Sequence, residues 1–267
     1  MRKGYIDTEY GQVHYRSTGS NGPVIMLLHI TPTSSAQFDA ALPHLGAQAR
    51  AYALDTPGYG MSDPPPGQIG PAEYGDRILA AMRKITTEKV VLVGIATGAV
   101  FALEAARRSP KAVSHLVLGS VPFYTAAELV ERAGHLHEPD MHRDGSHIQR
   151  VWTDLEHKYG AYNSVADIHQ MVMDLCNVYD RNLWGLKAVE ESLRTGEMER
   201  IFRAVCHPTL VLSPDTPART YAKRVADLIP GATLEVITGA GIPLPYNNGP
   251  GYADHILRFV QRTPPCA

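Results

Sequence analysis

Four short, mostly apolar runs constrain this chain more than any other feature. They lie at 24–28, 90–93, 113–118 and 210–212. A strand buried on both faces has this continuous pattern, whereas a half-exposed strand alternates. Two shorter apolar runs lie at 51–54 and 233–237, and residues 4–17 predict an opening hairpin. Helical stretches are predicted at 35–45, 72–85, 97–109, 218–228 and 252–262. The alternation of strands and helices predicts an α/β fold with a mostly parallel sheet and helices on both faces.

Length and composition favour one domain that handles a small molecule. The 267 residues are 44% hydrophobic, enough to bury one α/β core with an insertion. Lys and Arg total 25 against 27 Asp and Glu, without a basic block, so we expect neither nucleic acid nor a membrane as partner. No apolar stretch reaches the ~20 residues of a membrane span. The expected partner is a small-molecule substrate or ligand, and a homodimer is left open.

The cysteines and the N-terminal residues indicate the compartment. The three cysteines are odd in number and lack CxxC spacing, which favours reducing conditions. Residues 1–11 contain no apolar core of signal-peptide length. We therefore expect a cytoplasmic protein.

The segment 123–203 interrupts the alternation and is polar and helical. It follows the sixth strand, where a cap over the carboxyl edge of a sheet would be inserted. The predicted division is therefore a core of 1–122 and 204–267 with a dependent helical cap at 123–203. Six histidines lie in this cap: His135, His137, His142, His147, His157 and His169. Their spacing matches no zinc motif, so we favour a solvated loop and expect no metal or cofactor.

The run 90–93 leads into Gly94-Ile95-Ala96-Thr97-Gly98-Ala99 and then a helix. This is the strand, sharp turn and helix of a GxSxG nucleophile elbow. Together with three further segments it resembles the α/β-hydrolase superfamily, in the branch of haloalkane dehalogenases and epoxide hydrolases. The resemblance implies an eight-stranded sheet. The further segments are the HGxP-like loop 28–35, the DxPGxGxSD-like 55–63, and the GAGH-like 238–243, while Asp215 stands where the family places its acid.

The departures from the family pattern concern the catalytic triad itself. Ala96 occupies the nucleophile position, and its methyl group can neither attack a carbonyl nor accept a proton. Ile242 occupies the histidine position, and residues 234–251 contain no histidine. A chain of this kind could not work by the Ser-His-Asp mechanism. An engineered alanine would leave the histidine in place, so Ile242 argues for a natural loss.

The resemblance also implies which groups remain at the site. The backbone N–H groups of Thr31 and Thr97 would form an oxyanion hole, although the glycines around the elbow could persist for packing alone. Asp215 is the first candidate base, and His147, at the predicted start of a cap helix, is a second candidate acid or base. Candidates for substrate contact come from the loop and the cap: His29, Ile30, Ser34, Phe123, Tyr124, Trp152 and Trp184. For His29 the family favours a structural role.

Three functions are compatible with these residues. The first is a small-molecule enzyme that uses the oxyanion hole for lyase, isomerase or cyclase chemistry on a carbonyl compound. The second is a catalytically inactive relative that binds a small apolar ligand. The third is a hydrolase whose nucleophile was replaced by an engineered alanine.

Overall fold

The computed structural model describes residues 1–133, 140–181, 183–216, 219–241 and 244–265. Eight strands form one sheet in the order β1-β2-β4-β3-β5-β6-β7-β8. The pairs β1/β2 and β2/β4 are antiparallel, and the others are parallel. The strands are β1 (Arg2–Thr8), β2 (Gly11–Thr18), β3 (Val24–Leu28), β4 (Arg50–Leu54), β5 (Val90–Ile95), β6 (Val113–Gly119), β7 (Thr209–Pro214) and β8 (Thr233–Ile237). The predicted mostly parallel eight-stranded sheet is confirmed.

Helices cover both faces of the sheet. They are α1 (Leu42–Gly46), α2 (Pro71–Ile85), α3 (Thr97–Arg108), α4 (Ala126–Ala133), α5 (Ser146–Tyr159), α6 (Val165–Asn177), α7 (Trp184–Arg194), α8 (Glu197–Arg203), α9 (Arg219–Leu228) and α10 (Gly249–Arg262). The single helix expected at 35–45 is a 3-10 turn at Ser35–Phe38 followed by α1. Pro43, in the first turn of α1, lacks an N–H and favours a new helix start there.

The four central strands, β3, β5, β6 and β7, are buried at every position. Alternate residues of β3 face opposite layers of the core: Met26 packs with α2 and α3, while Ile25 packs with α1 and α10. This two-sided burial is the physical reason that their sequences are apolar without alternation.

Five helices, α4–α8, lie between β6 and β7, where the sequence placed the cap. α7 contacts α2 and α3, and α8 contacts α9. α5 and α6 share a small apolar cluster that includes Ile168, Met171 and Tyr246. The exact extent of the cap, 123–203, stays a prediction. Across the described ranges, no helix combines the length and apolar character that crossing a membrane requires.

Candidate functional site

Ala96 forms the turn between β5 and α3 with φ 50° and ψ −113°. Only a few per cent of non-glycine residues have a positive φ, and such strain is concentrated at functional sites. A Cβ atom on Gly98 would overlap the carbonyl oxygens of Leu28 and His29. The sharp turn predicted from the glycine spacing is therefore present, and it presents the partly exposed methyl group of Ala96.

The two threonines expected to form an oxyanion hole bond to each other. The Thr31 N–H donates to Thr97 Oγ1 at 2.7 Å, and the two hydroxyl oxygens are hydrogen-bonded at 3.0 Å. Both residues are buried. The expectation that the Thr31 N–H faces a ligand is therefore wrong for this structure, because a hydroxyl already accepts from it. The Thr97 N–H, in the first turn of α3, has no intrahelical acceptor.

The start of α7 closes over Thr31. A Cβ atom on Gly185 would lie 2.9 Å from the Thr31 side chain, so only glycine permits this approach. The Gly185 N–H donates to the Tyr59 hydroxyl at 2.7 Å. Burial raises the pKa of Tyr59. Trp184, a predicted pocket wall, is the neighbour of Gly185 and is only partly buried.

Asp215 does not lie in a desolvated pocket. Its side chain is 54% exposed and pairs with Arg219, four residues later in the chain, at 3.8 Å. The carboxylate therefore faces solvent, and the role of Asp215 as a base stays a prediction. Ile242, at the family's histidine position, lies outside the described residues.

His147 has a local structural role in the cap. Its Nδ1 accepts the His142 N–H at 3.1 Å, and its ring packs against Tyr179 with centroids 5.3 Å apart. These contacts stabilise the start of α5 and do not connect His147 to the elbow. A role of His147 in catalysis stays a prediction. His135 and His137 lie outside the described residues. Among the side chains that the structure describes, no three His, Cys, Asp or Glu gather as a metal would require.

His29 is a structural residue. It is fully buried, Nδ1 lies 2.9 Å from the Ile30 carbonyl, and Nε2 accepts the Thr56 N–H at 2.9 Å. Since Nε2 accepts, the proton lies on Nδ1 and the ring is neutral. Burial lowers its pKa accordingly. Substrate contact by His29 was therefore a wrong prediction, whereas Ile30 remains a candidate because it is partly exposed and packs in the same cluster as Ala96.

Ser34 binds the cap instead of facing an open site. Its hydroxyl donates to Asp174 Oδ2 of α6 at 2.9 Å and accepts the Ala36 N–H. Gln170 donates to the other carboxylate oxygen at 2.9 Å. Asp174 is 8% exposed, and this burial raises its pKa to about 6. Asp174 was missed by the sequence analysis, and its bond to Ser34 replaces the predicted substrate contact there.

Aromatic packing accounts for three of the predicted pocket walls. Phe123 meets Phe202 edge-on with ring centroids 5.4 Å apart, and Tyr124 meets Tyr221 at 4.9 Å. Trp152 packs against the apolar cluster of α5 and α6. The contacts of Phe123 and Tyr124 stabilise the junction of the cap with the core, and that of Trp152 stabilises the cap interior. Contact with a ligand stays a prediction for all three residues.

Ser120 is a second residue that the sequence analysis missed. It follows β6 and has φ 48°. The carbonyl oxygen of Gly119, the residue before Ser120, accepts the Ala96 N–H at 2.8 Å. Ser120 Oγ is buried, and no hydrogen-bond partner for it lies among the described residues. Two strained, non-glycine residues therefore end neighbouring strands at the same edge of the sheet.

Comparisons with known proteins found relatives that are named as hydrolases. The chain is 28% identical over 119 residues to a 2-(acetamidomethylene)succinate hydrolase of Mesorhizobium japonicum, covering 45% of the chain and 42% of that relative. It is 30% identical over 117 residues to a 2-hydroxy-6-oxononadienedioate/2-hydroxy-6-oxononatrienedioate hydrolase of Cupriavidus pinatubonensis, covering 42% and 40%. The matches thus span less than half the length of these relatives.

A solved structure and a family model extend the likeness to most of the chain. The enol-lactonase from Burkholderia xenovorans has the same fold, with a TM-score of 0.74 at 16% identity, covering 97% of this chain and all of that one. The model of the alpha/beta hydrolase family matches residues 25–249. The chain belongs to the alpha/beta hydrolase family.

Proposed function

We propose that this protein is a small-molecule enzyme of the alpha/beta hydrolase family that acts on a carbonyl compound without a covalent intermediate at the elbow. The observation that supports the proposal is Ala96, which has the positive φ of a nucleophile elbow but only a methyl side chain. Strain of this kind costs about 1–3 kcal/mol and persists where the surrounding structure enforces it. A purely structural turn would be less strained with glycine.

The two relatives are named as hydrolases, which favours hydrolysis over the lyase, isomerase or cyclase chemistry that the sequence suggested. Without a serine, water would have to attack the carbonyl directly, and a base would have to accept its proton. Asp174 is a better candidate base than Asp215, because it is buried, its pKa is about 6, and it bonds to the loop that carries Thr31. Asp215→Asn should accordingly leave turnover unchanged, whereas Asp174→Asn should lower it.

The proposal predicts that Ala96→Ser does not create an esterase. A serine without a histidine lacks an activating base, and losing the base of a triad costs on the order of a million-fold in turnover. The measurement is hydrolysis of p-nitrophenyl butyrate by the wild type, Ala96→Ser and Ala96→Gly, with circular dichroism to verify folding. All three should show the same rate. A gain of ~100-fold or more in Ala96→Ser would show that a working base is in place and would favour the engineered-alanine alternative.

A binding protein without turnover is the second candidate. The bond between the Thr31 N–H and Thr97 Oγ1 favours it, because a donor for an oxyanion is already used within the protein. A panel of esters, epoxides, β-diketones and hydroxy acids separates the two candidates. Turnover of at least one compound supports the enzyme, whereas saturable binding without turnover supports the binding protein.

A further inference from the structure

We propose that Cys206 and His207 form a thiol-modification site at the amino edge of the sheet, and that its ligands are small disulfides that carry an aromatic ring. The site lies apart from the elbow. Cys206 and His207 come just before β7, and Pro110 comes just before β6, whereas Ala96 follows β5. Because these three strands are parallel, the pair and Ala96 lie at opposite edges of the sheet. The reactivity of the pair does not depend on the chemistry at the elbow.

The hydrogen bonds of His207 prepare its ring to accept a proton. Nε2 lies 3.0 Å from the carbonyl oxygen of Pro110, which can only accept, so the proton of the neutral ring lies on Nε2. The lone pair of Nδ1 is left to accept, and Cys206 Sγ lies 3.9 Å from it, where a thiol can donate weakly. His207 is buried, whereas Cys206 is exposed. An oriented base therefore faces a thiol that reagents can reach.

This arrangement contains the parts of an activated nucleophile. A thiol reacts as its thiolate, and a neighbouring base that takes its proton promotes the reaction. The thiol, the imidazole and the carbonyl that orients the imidazole follow one another in hydrogen-bond contact. Cys176 has a different environment, because it packs against the apolar cluster of α5 and α6, and burial raises the pKa of its thiol. We therefore expect Cys206 to react faster than Cys176.

A recess beside the pair selects the reagent. Its volume is about 150 Å³, and it is lined by Cys206 and His207 together with aliphatic side chains that include Leu103, Leu116 and Ile201. An apolar cavity of about this size holds one benzene ring in another protein. Moving an aromatic ring from water into an apolar recess is favourable, because it removes apolar surface from water. Disulfides with an aryl group should therefore react in preference to aliphatic ones.

The reaction is a thiol–disulfide exchange. The Cys206 proton passes to His207 Nδ1, and the Cys206 sulfur attacks one sulfur of the reagent. The S–S bond of the reagent breaks as a new S–S bond joins Cys206 to one aryl half. The other half leaves as a thiolate and takes up the proton from His207. The exchange needs no oxidant other than the disulfide itself.

The test compares dithiodipyridine, an aryl disulfide, with hydroxyethyl disulfide, an aliphatic one. Peptide mass spectrometry gives the rate at each cysteine at pH 7, and division by the rate of free glutathione removes the intrinsic reactivity of the reagent. The variants are His207→Gln, whose amide can still donate to the Pro110 carbonyl, and His115→Gln. His115 is the matched control, because it also bonds a backbone carbonyl, that of Thr263 at 2.9 Å, while its Nδ1 faces the Ser114 hydroxyl.

Cys206 should react alike in the wild type and His115→Gln, and at least about tenfold more slowly in His207→Gln with either reagent. The rate at Cys176 should be the same in all three proteins, which excludes a general loosening of the fold. At Cys206 the normalised rate should be at least about threefold higher for the aryl disulfide. Equal Cys206 rates in the wild type and His207→Gln would overturn the proposal, and so would equal normalised rates for the two reagents.

If His207→Gln does not fold, the wild type alone decides. Cys206 of the folded chain should react at least about tenfold faster than the same cysteine of the chain unfolded in urea, both relative to glutathione in the same solvent. An equal or slower rate in the folded chain would overturn the proposal. None of these rates reports turnover at the elbow, so they leave the test of the proposed function separate.

Discussion

Asp55→Ala is expected to destabilise the folded chain by about 3–5 kcal/mol, because it removes a buried carboxylate that accepts several hydrogen bonds. The Asp55 carboxylate is 1% exposed and lies 2.8 Å from His14 Nδ1. It also accepts the backbone N–H groups of Ser35 and Met61, at 2.6 and 2.8 Å. The alanine variant would leave the buried N–H of Ser35 without this acceptor. Urea unfolding at pH 7 measures the loss.

The pH dependence of stability gives a second readout for Asp55. Burial acts to raise its pKa, but the His14 hydrogen bond and the backbone donors of Met61 and Ser35 outweigh burial and lower it to about 2. A lowered folded-state pKa means that the contribution is present above about pH 4 and is lost as pH falls toward 2. Asp55→Ala should lack this part of the acid dependence.

Asp63→Ala is the matched control for Asp55→Ala. Asp63 ends the same turn, is exposed, and accepts the Gln12 N–H at 2.8 Å. Its loss should cost about 1 kcal/mol or less, as for a single hydrogen bond near the surface. Equal losses in the two variants, or a loss below about 1 kcal/mol for Asp55→Ala, would contradict the role assigned to the buried carboxylate.

The elbow and the sheet could be predicted because both leave local patterns in the sequence. A strand buried on both faces must be apolar at successive positions, as in Val90–Ile95. A turn that brings a helix against a strand excludes side chains, and Gly98 shows the reason, since a Cβ there meets two carbonyl oxygens of the β3 edge. Such constraints act on residue types and can be inferred without coordinates.

The hydrogen bonds of the site could not be predicted, because they depend on side-chain directions. The Thr97 hydroxyl turns toward Thr31, and nothing in the order of residues indicates this rotamer. Family position made Asp215 the first candidate base, but its carboxylate faces solvent. Asp174 lies beside the apolar stripe of α6, where an acidic residue is normally solvated. Only the docking of α6 on the loop near Ser34 buries it.

Asp174 therefore joins the cap to the loop that carries Thr31, and its protonation should control how stable that junction is. The carboxylate accepts from Ser34 and Gln170, and it lies in the electrostatic field of Asp55, Arg16 and the buried Tyr246. Burial is the largest influence and raises its pKa from the ordinary 3.8 to about 6. Asp174 therefore keeps its proton up to a higher pH in the folded chain than in the unfolded chain.

Asp174→Asn is expected to stabilise the protein above pH 6 and leave its stability near pH 4 almost unchanged. Because the folded-state pKa of Asp174 is raised, its stabilising contribution is complete below about pH 4 and is lost as pH rises through 6. At about 1.36 kcal/mol per pKa unit, the loss that the asparagine avoids is at most about 3 kcal/mol. The asparagine oxygen can still accept from Ser34, and its amide can pair with Gln170 once that side chain turns.

The measurement is urea unfolding of the wild type and Asp174→Asn at intervals from pH 4 to pH 8. The wild type should lose stability relative to the variant between about pH 4 and 7, and the difference should be constant above that range. Asp154→Asn, an exposed change on the neighbouring helix α5, should follow the wild type at every pH. A variant that is less stable than the wild type at pH 8 would contradict the prediction, because it would mean that the ionised carboxylate, held by Ser34 and Gln170, is the form that stabilises the cap.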